Sequence, residues 1–194
     1  IIRCISENKV RINDGDIICI AQKVISKAEG CIYNLNDIQP SKKAIELSEK
    51  LNKDPRKIEI ILQESKNVIR AFKHKDQNEG VIICEHKLGF ININAGIDQS
   101  NIQQDKNLAL LLPENPSKSA KDIQKKLSKI FNKNISIIIS DSMTRPYRSG
   151  IINFALSSNN IQSLIDLKGE KDMFGNKLRG TEIAVADQLA SAAG

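Results

Sequence analysis

Short apolar runs alternate with polar, lysine-bearing stretches along the chain, and the runs differ in kind. Asp16 to Ala21 is apolar at nearly every position and is entered through the turn Asn13-Asp14-Gly15. It predicts a strand buried on both faces. Ile135 to Ile139 predicts a second strand of the same type, ending at Ser140-Asp141-Ser142. Elsewhere the period is helical. Pro40-Ser41 precedes Ala44, Leu47 and Leu51, with Ser41 placed as an N-cap. Asp54-Pro55 opens a second helix with proline in its first turn; its apolar side is Ile58, Ile61, Leu62, Val68 and Ile69. Val81 to Cys84 and Leu88 to Ile93 read as a hairpin, and Leu108 to Leu112 as a short strand stopped by Pro113. A third helix is expected from Ser119 to Phe131, with Ala120, Ile123, Leu127 and Ile130 on one side. Ile151 to Leu156 adds a strand. Thr181 is expected to cap a last helix carrying Val185, Asp187, Leu189 and Ala190. The pattern predicts an α+β protein, mixed sheets with packed helices rather than a regular βαβ series.

Composition narrows the function classes. The 194 residues suffice for a sizeable core in one or two domains. No apolar run reaches the roughly 18 to 20 residues of a membrane span. The opening Ile-Ile-Arg-Cys-Ile-Ser lacks the basic-then-apolar order of a signal peptide, so none is expected; a cytoplasmic protein is expected from the cysteine usage. The four cysteines, Cys4, Cys19, Cys31 and Cys84, form no CxxC pair, and the histidines are two, His74 and His86. A structural zinc site is therefore not expected, and the thiols read as reduced. The net charge of +6 comes from lysines scattered among acids, with 4% aromatics and no tryptophan. That argues against nucleic acid, which wants stacking platforms and a basic stripe. A pocket for an anionic small molecule fits better.

Two segments put a carboxylate where an apolar strand ends: Asp98 after Leu88 to Ile93, and Asp141 after Ile135 to Ile139. An Asp followed directly by a hydroxyl, Asp141-Ser142, offers hard oxygen ligands to Mg²⁺ or Mn²⁺. For either loop alone, ordinary turn and cap residues are the simpler explanation. The basic turn just beyond shifts the balance. Arg145 and Arg148 flank Pro146-Tyr147, and guanidinium forks grip phosphates and carboxylates. Lys23 and Lys27 follow the first strand, with Gly30 free to take a positive φ. No Walker A loop, no G-x-G-x-x-G fingerprint and no G-x-S-x-G elbow occurs, which excludes a P-loop enzyme, weakens a Rossmann site and leaves a hydrolase triad unsupported.

Four blocks, in order, resemble the coenzyme F420-0:L-glutamate ligase family. They are Gly15-Asp16 through Gly30, with Gln22-Lys23 and Ser26-Lys27; Asn94-Ala95-Gly96-Ile97-Asp98-Gln99-Ser100-Asn101; Ser140-Asp141-Ser142-Met143-Thr144-Arg145-Pro146-Tyr147-Arg148; and Gly169 to Gly175 followed by Thr181 to Asp187. The resemblance implies one ligase domain over 1–194 with the family's unusual α+β fold, lacking the family's N-terminal and C-terminal segments. It implies addition of L-glutamate to coenzyme F420-0, then a further γ-linked addition, at the expense of GTP and through an acyl phosphate. It implies Mg²⁺ or Mn²⁺, a monovalent cation such as K⁺, and a homodimer. By the same resemblance Asp98, Asp141 and Ser142 would bind metal, and Gln22, Lys23, Lys27 and Asn101 would contact the nucleotide. Arg145 and Arg148 are assigned to phosphate or substrate carboxylates on chemistry alone. The competing reading is a binding module for an anionic cofactor or nucleotide, which would keep the arginines without needing the acids.

Overall fold

The computed structural model describes residues 1–102 and 107–194. The chain opens with α1 (Ile2–Glu7), β1 (Ile17–Ala21), α2 (Gln22–Glu29) and β2 (Ile32–Asn34). There follow α3 (Lys42–Leu51), α4 (Pro55–Gln63), β3 (Ser65–Phe72), β4 (Val81–His86), β5 (Ile91–Ile93) and β6 (Leu108–Leu110). The remainder is α5 (Pro116–Phe131), β7 (Ser136–Arg145), β8 (Arg148–Asn159), β9 (Leu164–Asp166), β10 (Glu182–Ala184) and α6 (Val185–Ala193). These elements sort into two compact units, each built from separated stretches of chain. The first comprises Ile1–Ile25, Glu114–Ser142 and Ile151–Gly194; the second comprises Ser26–Pro113 and Met143–Gly150. The α+β class expected from the apolar pattern is the class observed.

In the first unit β1 and β7 run parallel, with Ile17 opposite Ser136 and Ala21 opposite Ser140, and β8 lies on the other side of β7. Being central, β7 buries Ile137, Ile138 and Ile139 completely. The equally apolar β1 is an edge strand, so it departs from the two-faced burial expected of it: Ile20 is 6% exposed but Ile17 is 38%. Ala120 and Leu127 of α5 pack onto the β7 side chains with Ile20 and Ile25. Proline at the first position and the Asn115 side chain accepting from the Lys118 N–H start α5 before Ser119. Asn132, at φ 50, ends it in the left-handed conformation. Phe131, not the exposed Ile130, joins the core from the last turn.

The second unit packs α3 and α4 against the antiparallel sheet β3-β4-β5. Leu51, Ile58, Ile61 and Ile82 are fully buried there, each worth about 1.5–3 kcal/mol of apolar transfer. Ser41 caps α3 as expected, its Oγ accepting from Ala44 N–H at 3.3 Å. The second helix stops at Gln63, so Val68 and Ile69 belong to β3 and not to its apolar side. The reason is the β-branched run that follows, which pairs with β4 (Val68 opposite Cys84). Thr181 caps nothing: β10 intervenes, and α6 starts from Ala184 without a side-chain cap bond.

Candidate functional site

The parallel register of β1 and β7 decides where the first unit's chemistry gathers. It aligns the carboxyl end of β1 with Ser140, and α2 starts at the next residue, Gln22. Open parallel sheets bind ligands beyond the carboxyl ends of their strands. A cavity of about 170 Å³ is found there, lined by Ala21, Gln22, Lys23, Ser140, Asp141, Ser142 and Asn153. Gln22 is 3% exposed and Ser140 9%, so amide and hydroxyl are held inside, while Lys23 and Asp141 are half-buried and Ser142 is open to solvent.

The strand β7 does not stop at Ser140. It runs on to Arg145, so Asp141 and Ser142 sit within a strand and not in a loop after one. Successive side chains of a strand alternate. Both residues nonetheless line the cavity beside Gln22. Only Pro146 and Tyr147 separate β7 from β8, a connection short enough only for an antiparallel pair. Arg145 and Arg148 flank it. Arg145 Nη2 donates to the Ser149 carbonyl at 3.3 Å, while its Nε is buried without a hydrogen-bond partner among the described residues. Arg148 is exposed.

In the second unit, Asn94, Ala95 and Gly96 all take positive φ (51°, 52° and 67°). Such conformations are costly outside glycine and persist only where the surroundings hold them. Here Asn94 Oδ1 accepts from the Ile82 N–H and the Ala95 N–H points to Cys84 Sγ, tying the turn to β4. Gly96 has a further constraint: a Cβ there would lie 3.1 Å from Leu112. The turn delivers Asp98 onto an isolated bridge with Leu110, closed by hydrogen bonds of 3.1 and 2.8 Å. Its carboxylate accepts from the Ser100 N–H and Oγ–H at 2.6 and 2.8 Å. Lys27, in the last turn of α2, donates from Nζ to the Asn101 carbonyl. Among the described residues no group of three or more His, Cys, Asp or Glu gathers.

Comparison with known proteins gives this geometry its context. The family described as F420-0:Gamma-glutamyl ligase matches residues 1–194. This chain belongs to that family. Among its relatives is the coenzyme F420:L-glutamate ligase of Methanocaldococcus jannaschii, 45% identical over 182 residues, covering 94% of this chain and 70% of the relative. The proteins of the same name from Methanothermobacter thermautotrophicus and Methanopyrus kandleri are 40% identical over 193 residues and 36% over 182. They are covered over 73% and 69% of their lengths, and this chain over 100% and 94%.

For this member of the F420-0:gamma-glutamyl ligase family, the structure brings Gln22, Lys23, Asp141 and Ser142 to one cavity and joins Lys27 to Asn101. Asp98 is fixed in the second unit with Ser100. Asn153, which lines the cavity from β8, gave no signal in the sequence, because a polar residue inside Ile151 to Leu156 reads as a solvent-facing strand position. Lys57 was equally silent. Burial, reinforced by Lys53, holds its ammonium below the ordinary lysine range, while Glu79, Asp98 and Asp54 pull it back up. Helical periodicity identifies Lys57 only as the residue before buried Ile58.

Proposed function

We propose that this protein is a GTP- and divalent-metal-dependent ligase that joins L-glutamate to coenzyme F420-0. The observation that carries the reading is the cavity at the carboxyl end of β1, where an ammonium, a carboxylate, a hydroxyl and a buried amide converge. Family membership and relatives named coenzyme F420:L-glutamate ligase support the same conclusion.

The donor set suits a hard cation: Asp141 supplies a carboxylate oxygen and Ser142 a hydroxyl oxygen, with the Asn153 amide beside them. Protein oxygens of this kind leave coordination positions for water and phosphate, the usual habit of Mg²⁺. In the second unit Asp98 is the proposed metal ligand, its orientation fixed by Ser100. The bound cation would neutralise charge on the phosphates of GTP. The residues of the chain do the rest. Gln22 and Lys23 in the first unit, and Lys27 and Asn101 in the second, are the proposed nucleotide contacts. Arg145 and Arg148 offer guanidinium donors to phosphate or to a substrate carboxylate.

A carboxylate resists amines because its charge repels them and oxide does not leave. Transfer of the γ-phosphoryl group from GTP to the F420-0 carboxylate gives an acyl phosphate. The glutamate amine attacks its carbonyl carbon, phosphate departs, and the amide forms with loss of a proton. Exposed Ile69, Ile91 and Ile151 offer apolar surface to a second copy, and the reading includes a homodimer working in the cytoplasm.

The test is calorimetric titration of GTP with and without Mn²⁺ on the parent and on Asp141→Asn. The amide keeps the shape and removes the charge that balances the cation. Metal-dependent GTP affinity should fall about 100-fold, near 2.7 kcal/mol, with the melting temperature almost unmoved. An unchanged metal titration would remove Asp141 from the site. GTP bound but never hydrolysed in the presence of F420-0 and L-glutamate would favour the binding-module reading.

A further inference from the structure

The first unit has a second cavity, of about 370 Å³, that the reading above leaves unused. Ser117 at the start of α5, Ser157 and Ser158 of β8, and Ser163 line it with hydroxyls. Among the described residues Asp187 is the one charged residue in its lining. A wall with no cation and a single carboxylate repels nucleotide phosphates. It suits a small ligand that carries an ammonium group, with hydroxyls left to satisfy oxygens elsewhere on that ligand.

Asp187 is held for such a role without being used up by it. It occupies the third position of α6, where a carboxylate commonly turns back to its own N-cap. Here Oδ1 instead accepts from the Ala155 N–H of β8 at 2.9 Å. Ser191, also on α6, donates to the Asn153 carbonyl at 2.7 Å, so α6 is pinned to β8 at two places. One oxygen of the carboxylate thus serves the fold, and an amide oxygen would serve it equally.

The placement of the two cavities gives the second one its meaning. Asn153 lines the first, and Ala155 and Ser157 line the second. The second cavity also takes Leu156 and Ser158, so it draws on consecutive residues of β8. The cavities therefore follow one another along β8, with about 7 Å of extended chain between residues 153 and 155. A ligase needs an activated carboxyl and an amine side by side, and most of its advantage over solution comes from holding them so.

We propose that the Asp187 cavity receives the amino-acid substrate and that the Asp187 carboxylate pairs with its α-ammonium. This rests on the ligase reading above. Asp187 is a binding residue, and it discriminates amino acids from the corresponding simple dicarboxylates.

Asp187→Asn tests it, because the amide retains the acceptor for the Ala155 N–H. The KM for L-glutamate should rise tenfold or more, while the KM values for GTP and F420-0 stay within twofold. Inhibition by glutarate, which lacks the amine, should be equal in parent and variant. Ser163→Leu, at an exposed position on the cavity wall, gives a second measure should the first variant fold poorly. It narrows the cavity and should likewise raise the glutamate KM alone. An unaltered glutamate KM in an active variant, or a rise shared by all three substrates, would overturn the assignment and leave Asp187 as a tie between α6 and β8. A parent protein that forms no glutamyl product from GTP, F420-0 and L-glutamate would overturn the ligase reading itself, and this assignment with it.

Discussion

The two units of this protein build their cores by opposite routes. In the second, α3, α4 and the β3-β4-β5 sheet follow one another closely in sequence, and their apolar faces meet through short connections. In the first, β1 finds its parallel partner β7 only after more than a hundred residues, most of which belong to the other unit. Local pairing costs little loop entropy, whereas the β1–β7 pairing must close a long excursion before its contacts form. The difference extends to the candidate sites. Asp98 is set by a tight turn tied to the neighbouring β4. Asp141 meets Gln22 only because of a long-range register.

The largest expected effect tests whether the two cores are separate in energy. Leu51→Ala in the second unit and Ile137→Ala in the first each remove a completely buried side chain. Each should cost about 3 kcal/mol. Native-state hydrogen exchange should then rise for β3, β4, α3 and α4 in Leu51→Ala, and for β1, β7 and α5 in Ile137→Ala. Faster exchange over both units from either change would break the distinction.

A smaller effect concerns the second unit's site. Lys27→Ala removes the ammonium that bonds the Asn101 carbonyl. The dissociation constant for GTP should rise about tenfold, or 1.4 kcal/mol, with little change in melting temperature because Lys27 is exposed. Equal GTP affinity for parent and variant would return Lys27 to a purely structural bond and confine nucleotide recognition to the first unit's cavity.

The smallest effect is a pH dependence confined to the second unit. His86 is 3% exposed, its Nδ1 accepts from the Leu88 N–H at 3.0 Å, and its ring stacks on Phe90. Burial lowers its pKa; Lys87 and Lys66 reinforce this and Glu64 opposes it. With the folded value depressed, the unfolded chain takes the proton first. The stability involved is present above about pH 6.5 and is lost as pH falls below that toward the folded value. The melting temperature of the parent should therefore drop between about pH 7 and pH 5 by more than that of His86→Gln. Parallel curves would show that His86 takes up its proton equally in the folded and unfolded states.

Much of the local structure was legible because its causes lie within a few residues. The Ser41 and Asp54-Pro55 helix starts, the isoleucine run that opens β7 and the β4–β5 hairpin all follow from capping, proline geometry and side-chain period. Where local rules compete, local pattern and structure part. Val68 and Ile69 continue a helical period by chance, and β-pairing with β4 claims them. Asp141 and Ser142 carry turn-forming side chains, yet β7 continues through them into a hairpin whose tip is Pro146-Tyr147.

The sequence by itself determined the apolar runs, the caps and the four motif blocks, and with them the α+β class and the family. Tertiary structure decided which of two equally apolar strands is central. β7 has a neighbour on each side and buries its isoleucines, while β1 has one and leaves Ile17 exposed. It also decided that Gln22, Asp141 and Asn153, from three distant stretches, line one cavity, and that Asp187 of α6 reaches the backbone of β8. The physical reason is the same in each case. Capping and periodicity act over one or two turns of chain, whereas strand register is fixed by hydrogen bonds to a partner that local sequence does not name.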